Sequence, residues 1–149
     1  MLTRRQLGMA LLGTALTSPS LAAVKTGRVW KSATCGCCKV WIKHLEANGF
    51  SVESFNVGNQ EARKELGMPA KYGSCHTADI GGYAIEGHVP AADILRLLDE
   101  QPDAVGLAVP AMPRGSPGMD GPQYGDIVDP YDVLLIAADG SATVYASYR

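Results

Sequence analysis

Three of the four cysteines fall within four residues, Cys35-Gly36-Cys37-Cys38, and the fourth, Cys75, is followed directly by His76. Cys35 and Cys38 form a C-x-x-C whose two ends share one face if a helix starts there. The unpaired N–H groups and positive dipole end at a helix start favour thiolate, the form that binds metal or attacks disulfides. Lys39 adds a positive charge nearby. Cys37 would stand about 100° around the helix from Cys38, so it either points elsewhere or bridges a second metal ion. One chemistry is a soft-metal site. Another is thiol–disulfide exchange, with Cys35 as nucleophile and Cys38 as resolving thiol. A third is an iron–sulfur cluster, for which four cysteines suffice. Purely structural bridging is the bland alternative; Cys37 and Cys38 poorly suit a disulfide with each other, so at least one would have to reach Cys75.

Other potential ligands surround this group. His88, in Glu86-Gly87-His88-Val89-Pro90, ends a predicted strand and precedes a helix, so it is either a ligand or a capping and packing residue. His44 lies seven residues beyond Cys37, about 10 Å along a helix axis, whereas metal–ligand bonds are near ~2 Å. It is read as a packed helix histidine beside Trp41. Met112 and Met119 fall in a Pro/Gly-rich stretch. Thioethers suit Cu(I), whereas zinc is usually held by thiolate, imidazole and carboxylate. The alternative is that both methionines fill gaps between loop and core.

The elements that would position these side chains follow from periodicity. Arg28–Ser32 reads as a strand ending just before the cysteines, and Cys37–Asn48 as a helix with Val40, Trp41 and Leu45 on one face and Gly49 as terminator. Ser51–Val57 alternates as a strand, with Val52, Phe55 and Val57 as anchors. Gln60–Leu66 reads as a short helix capped by Asn59 and ended by Gly67. Ile80 and Tyr83–Glu86 suggest strand fragments around Gly81-Gly82. Pro90 opens an amphipathic helix, Ala91–Glu100, whose buried side is Ile94, Leu95, Leu97 and Leu98. Val133–Ala137 and Ala142–Tyr148 flank Asp139-Gly140, a strong hairpin signal. Gln101–Asp129 shows no periodicity, and so long an irregular connection in a compact domain usually has a use.

The order β-α-β-α-β-β-α, with cysteines between the first strand and first helix, is that of a thioredoxin-like domain. The expected fold is therefore α/β, a three-layer thioredoxin-like arrangement with a mixed sheet, a long Pro/Gly-rich loop and a C-terminal β-hairpin. Thioredoxins place a cis-proline opposite the C-x-x-C, where it keeps metal away. Here Ser74-Cys75-His76-Thr77-Ala78 contains no proline and offers ligands instead, which favours metal over pure oxidoreductase chemistry.

The N-terminus carries Arg4-Arg5, an apolar stretch Leu7–Leu16, and small residues ending at Ala22-Ala23. This is the pattern of a bacterial signal peptide, with cleavage after Ala22 and Ala23 as runner-up. Thr3-Arg4-Arg5-Gln6-Leu7 also fits a twin-arginine signal, although arginine pairs occur in ordinary secretory signals too. The apolar run is shorter than the ~20 residues that span a bilayer. The domain would then be residues 23–149, 127 residues long, enough for one ordinary core. The segment removed holds two arginines and no acid, so the formal charge moves from −2 to −4. A mildly acidic domain without basic clusters argues against nucleic acid. A soluble periplasmic protein without stable membrane insertion is expected.

Four motifs taken together carry a family resemblance. They are Cys35-Gly36-Cys37-Cys38, Ser74-Cys75-His76-Thr77-Ala78, Gly82-Tyr83-Ala84-Ile85-Glu86-Gly87-His88-Val89-Pro90, and the loop from Gly106 to Met119. With these the chain resembles the CopG-like family of periplasmic copper-resistance proteins, long catalogued as a domain of unknown function. The resemblance spans essentially all of the chain after the signal and departs at Ala111, where the loop motif usually reads Gly. It implies a thioredoxin-like fold and a role in handling or redox-cycling copper. A thiolate-rich site favours sequestering copper as Cu(I), and cysteines so close together suit more than one ion per chain. Carried over by motif, the ligands would be Cys35, Cys37, Cys38 and Cys75, joined by His76 and His88. Other periplasmic copper-handling proteins are the partners it implies.

Overall fold

The computed structural model describes residues 23–149; the signal-peptide reading falls on residues 1–22, outside the described residues. Strand β1 (Lys25–Lys31) runs parallel to β2 (Phe50–Phe55), and helix α1 (Gly36–Ala47) makes the crossover between them. β1 starts three residues earlier than its apolar pattern predicts, because Lys25 already pairs with Phe50 in the β2 register. Backbone pairing extends the strand where side-chain alternation has stopped. After β2 come the short helix α2 (Gln60–Glu65) and a 3-10 turn at Ala70–Tyr72. Antiparallel strands β3 (His76–Ile80) and β4 (Tyr83–Glu86) follow, then helix α3 (Ala91–Glu100).

The stretch expected to be one irregular connection contains a strand. β5 (Gly106–Ala108) pairs in parallel with β4 and antiparallel with β6 (Tyr131–Ile136). With only three residues it is too short to show a period. β6 and β7 (Ala142–Tyr148) form the expected closing hairpin. All seven strands make one mixed sheet in the order β2-β1-β3-β4-β5-β6-β7.

Each strand sends alternate residues to opposite faces, and two apolar clusters result. Ile85, Leu107 and Val133 join Trp41 and Leu45 of α1 with Ile94 and Leu97 of α3. Ala84, Ala108 and Ile136 instead meet Met68, Leu66 and Tyr72 from the α2 region.

Two details of the sequence reading change. The buried stripe of α1 is Cys38, Trp41 and Leu45, at helical spacing. Val40, expected on that face, is 43% exposed, since it stands about 100° from Trp41. Val57 lies beyond the end of β2 and is 80% exposed rather than an anchor. Among the described residues no helix is long and apolar enough to cross a membrane.

Candidate metal centre

α1 begins where β1 leaves the sheet, and Cys35 occupies its N-cap. The Cys35 Sγ accepts from the Cys38 backbone N–H at 3.3 Å. Cys35 and Cys38 are joined by a disulfide, with Cα atoms 5.4 Å apart. Cys37 and Cys75 are free thiols. The Cys37 Sγ stands 3.6 Å from that of Cys35 and 3.8 Å from that of Cys75. Cys37 is thus the link between the C-x-x-C and the loop before β3. All four sulfurs lie within 4.8 Å of one another.

Cys75 also belongs to a second group, with His76 and His88. Its Sγ lies 3.0 Å from His88 Nε2 and 3.3 Å from His76 Nδ1. Burial, reinforced by neighbouring Cys37, pushes the Cys75 thiol up to about 12. Both imidazoles are fully buried. Burial holds His76 at about 3, with nearby His88 adding to the effect. It holds His88 at about 4 against an opposing pull from Asp120. Both rings are therefore neutral at pH 7, the form that ligates metal. His76 Nε2 is buried without a hydrogen-bond partner among the described residues, and its ring packs against Trp41 with centroids 4.2 Å apart.

The His88 backbone is fixed from both directions. Gly87 turns the chain at φ +71°, where a Cβ would sit 2.5 Å from the Val109 carbonyl oxygen and 2.6 Å from Ser74 Oγ. On the other side, Trp41 Nε1 donates to the Val89 carbonyl at 2.8 Å. His44, one turn later on α1, accepts from the Ala91 N–H at 3.0 Å. That N–H is one of the groups a helix start leaves unpaired. His44 is thus a cap for α3 as well as a packed helix residue, and burial lowers its pKa.

Ser74, just ahead of Cys75, is held by a cluster that no local pattern reveals. Its N–H donates to Glu86 Oε1 at 2.6 Å, and its carbonyl accepts from Arg63 at 2.9 Å and Asn59 at 3.2 Å. Glu86 is fully buried, pairs with Arg63 at 2.8 Å, and accepts from Thr77 Oγ1 at 2.6 Å. Burial pushes the Glu86 carboxyl above the usual carboxylate range, while Arg63, Thr77 and Ser74 pull it back. Asn59, expected to cap α2, makes no side-chain cap there. Its amide is used across the fold instead, where it donates to Thr77 Oγ1 as well as to Ser74.

The loop after β5 closes over this end of the sheet. Gly118 (φ +98°) approaches α1 so nearly that a Cβ there would lie 2.7 Å from the Cys37 carbonyl oxygen. Arg114 reaches Asp129 through its backbone N–H, Nε and a terminal nitrogen. That guanidinium holds the Asp129 carboxyl down at about 2. Buried Ser116 touches His88 Nδ1 at 3.3 Å. Met112 is 49% exposed and lines a surface cleft with Pro110, Pro113 and Tyr131. Met119 is half-buried beside Gly118.

The structure brings together Cys35, Cys37, Cys38, Cys75, His76 and His88. Sequence reasoning missed Arg63, Ser116 and the role of Glu86. The signal available was Glu86 and Ser116 lying within the family motifs, but their partners come from distant elements.

A family model described as "Protein of unknown function, DUF411" matches residues 72–119. No curated protein matches the chain. Among solved structures, "Copper resistance protein copG- Form 2" is 49% identical with a TM-score of 0.78. That match covers 85% of this chain and 100% of the other. "Copper resistance protein copG- Form 1" is 52% identical with a TM-score of 0.75, covering 83% of this chain and 96% of the other. At that identity over most of this chain and nearly the whole of the others, this protein belongs to the CopG copper resistance family.

Proposed function

We propose that this chain is a periplasmic copper-binding protein that sequesters or redox-handles copper and so contributes to copper resistance. The observation that carries the reading is the convergence of four sulfurs, one of which, Cys75, is also grouped with two buried neutral imidazoles. Soft thiolate donors favour Cu(I) over harder ions. Cys35, Cys37, Cys38 and Cys75 are the principal ligands in this reading, with His76 and His88 behind them and Met112 and Met119 as the loop's thioethers. Several cysteines this close could bridge more than one ion. Residues 1–22 act as the export signal, and residues 23–149 form the metal-binding domain. The strand order β2-β1-β3-β4, with β1 and β2 parallel and cysteines opening α1, supports a thioredoxin-like assignment.

Cys35 and Cys38 donate to metal only as thiolates, so their disulfide must first be reduced. The same pair supports a second reading, thiol–disulfide exchange, because it sits where a helix start favours thiolate. The two readings meet in one balanced step. Two thiols give one electron each to two Cu(II), yielding two Cu(I), one disulfide and two protons.

The test is metal content with a thiol count on protein purified anaerobically. Metal-free oxidised protein should titrate two thiols per chain, and reduced protein four. Reduced protein should take up copper and lose its titratable thiols, and Cys35→Ser or Cys75→Ser should sharply lower the copper bound. Full retention of copper in both variants would sink the shared site. Turnover of insulin disulfides by metal-free protein would favour the exchange reading; none would remove it.

A further inference from the structure

Ser116 is fully buried, and its hydroxyl lies 2.5 Å from the Pro113 carbonyl and 3.3 Å from His88 Nδ1. A serine hydroxyl carries one proton and two lone pairs. The Pro113 carbonyl can only accept, so that proton is committed to it. Toward His88 the serine oxygen is left as an acceptor, and Nδ1 must supply the hydrogen. We infer that Ser116 fixes His88 as the Nδ1–H tautomer, which leaves the Nε2 lone pair aimed at the Cys75 sulfur 3.0 Å away.

The other contacts of the cluster agree with this assignment. The Cys75 thiol has a single hydrogen, and His88 Nε2 is its nearest acceptor, closer than His76 Nδ1 at 3.3 Å. The opposite tautomer would turn the Cys75 hydrogen away to the more distant His76 Nδ1, and would leave Nδ1 of His88 facing an oxygen whose proton is already used. An imidazole that ligates metal usually has its second nitrogen hydrogen-bonded, which fixes tautomer and ring orientation. Ser116 therefore presents Nε2 as a ready donor, with no ring flip or tautomer change needed; only the Cys75 thiol proton has to leave as metal enters. Ser116 is a positioning residue, acting through His88. The value of this for binding rests on the copper reading; the tautomer itself is a property of the metal-free chain.

Long-range 1H–15N correlation spectra of the full, reduced, metal-free domain at pH 7 separate the two neutral tautomers of each histidine. His44→Gln and His76→Gln variants assign the signals. The expected result is the Nδ1–H form for His88 in the parent and in Ser116→Thr, which keeps the hydroxyl. Ser116→Ala should shift His88 to a mixture or to the Nε2–H form, and Cu(I) affinity should fall about 10–100-fold with unchanged stoichiometry. An Nε2–H signal in the parent, or the same tautomer in Ser116→Ala, overturns the inference. A tautomer that changes with no loss of Cu(I) affinity refutes its service to binding. A parent chain that shows the Nδ1–H form yet takes up no Cu(I) supports the tautomer assignment and ends the copper reading instead.

Discussion

Acidification probes the burial of the two site histidines. His76 is held at about 3 and His88 at about 4 in the fold, while each titrates near ~6.5 in an unfolded chain. The folded values lie below the unfolded ones, so the unfolded state takes up protons first as pH falls. Their stabilisation is complete above pH ~6.5 and is lost progressively below it, down to the folded values. At ~1.36 kcal/mol per pH unit, each ring gives up about 2 kcal/mol between pH 7 and pH 5. The pair loses about 4 kcal/mol, a large share of the ~5–15 kcal/mol typical of a domain. His44, also lowered by burial, pulls the same way. Glu86 opposes them: its raised carboxyl takes its proton more readily in the fold, so acidification favours the fold there. Comparing the parent with His76→Gln cancels the groups common to both. The assay is urea unfolding of reduced, metal-free protein at pH 7, 6 and 5, with the denaturant slope checked for constancy. His76→Gln should lose about 2 kcal/mol less than the parent across that range. Coincident pH profiles for parent and variant would refute the claim that His76 is buried and neutral.

Two substitutions probe the parts that hold the site in place. Gly118→Ala puts a Cβ 2.7 Å from the Cys37 carbonyl oxygen and 3.2 Å from the Trp41 backbone nitrogen, at φ +98°. It should cost about 1–3 kcal/mol and quicken limited proteolysis within residues 113–129; an unchanged cleavage rate would contradict the close approach. Trp41→Phe keeps the aromatic packing but removes the donor to the Val89 carbonyl. Leaving that acceptor unmatched should cost about 1–3 kcal/mol, read as a lower thermal midpoint, and no shift would mean the bond contributes nothing.

The cysteines, the strands and helices around them, and the closing hairpin were legible because each leaves a local mark. A C-x-x-C needs only spacing, α3 shows its apolar stripe, and Asp139-Gly140 announces a turn. What escaped depends on contacts between distant elements. β5 is three residues long and exists because β4 and β6 flank it. Asn59 has the residue type of a cap, yet its amide reaches Ser74 and Thr77. Glu86 sits in a strand whose pattern says only that it is buried or exposed by turn. Its partner Arg63 lies 23 positions earlier on another element. Ser116 reads as one more small loop residue until folding brings it against His88, 28 positions away.

The three residues of β5 also bear on how the chain survives its own synthesis. β4 gains its second neighbour only when Gly106–Ala108 pairs with Ala84–Glu86 in parallel. Such pairing needs a crossover, here α3, and long-range strand pairing forms slowly. Chains fold as they emerge, N-terminus first. A nascent or truncated chain ending near residue 105 would therefore carry every cysteine while leaving an apolar sheet edge without a partner. Unpaired edges of that kind recruit other chains, and here four thiols would stand ready to cross-link whatever docked. Stalled or shortened copies should accordingly be chaperone clients and protease substrates rather than weaker versions of the finished protein.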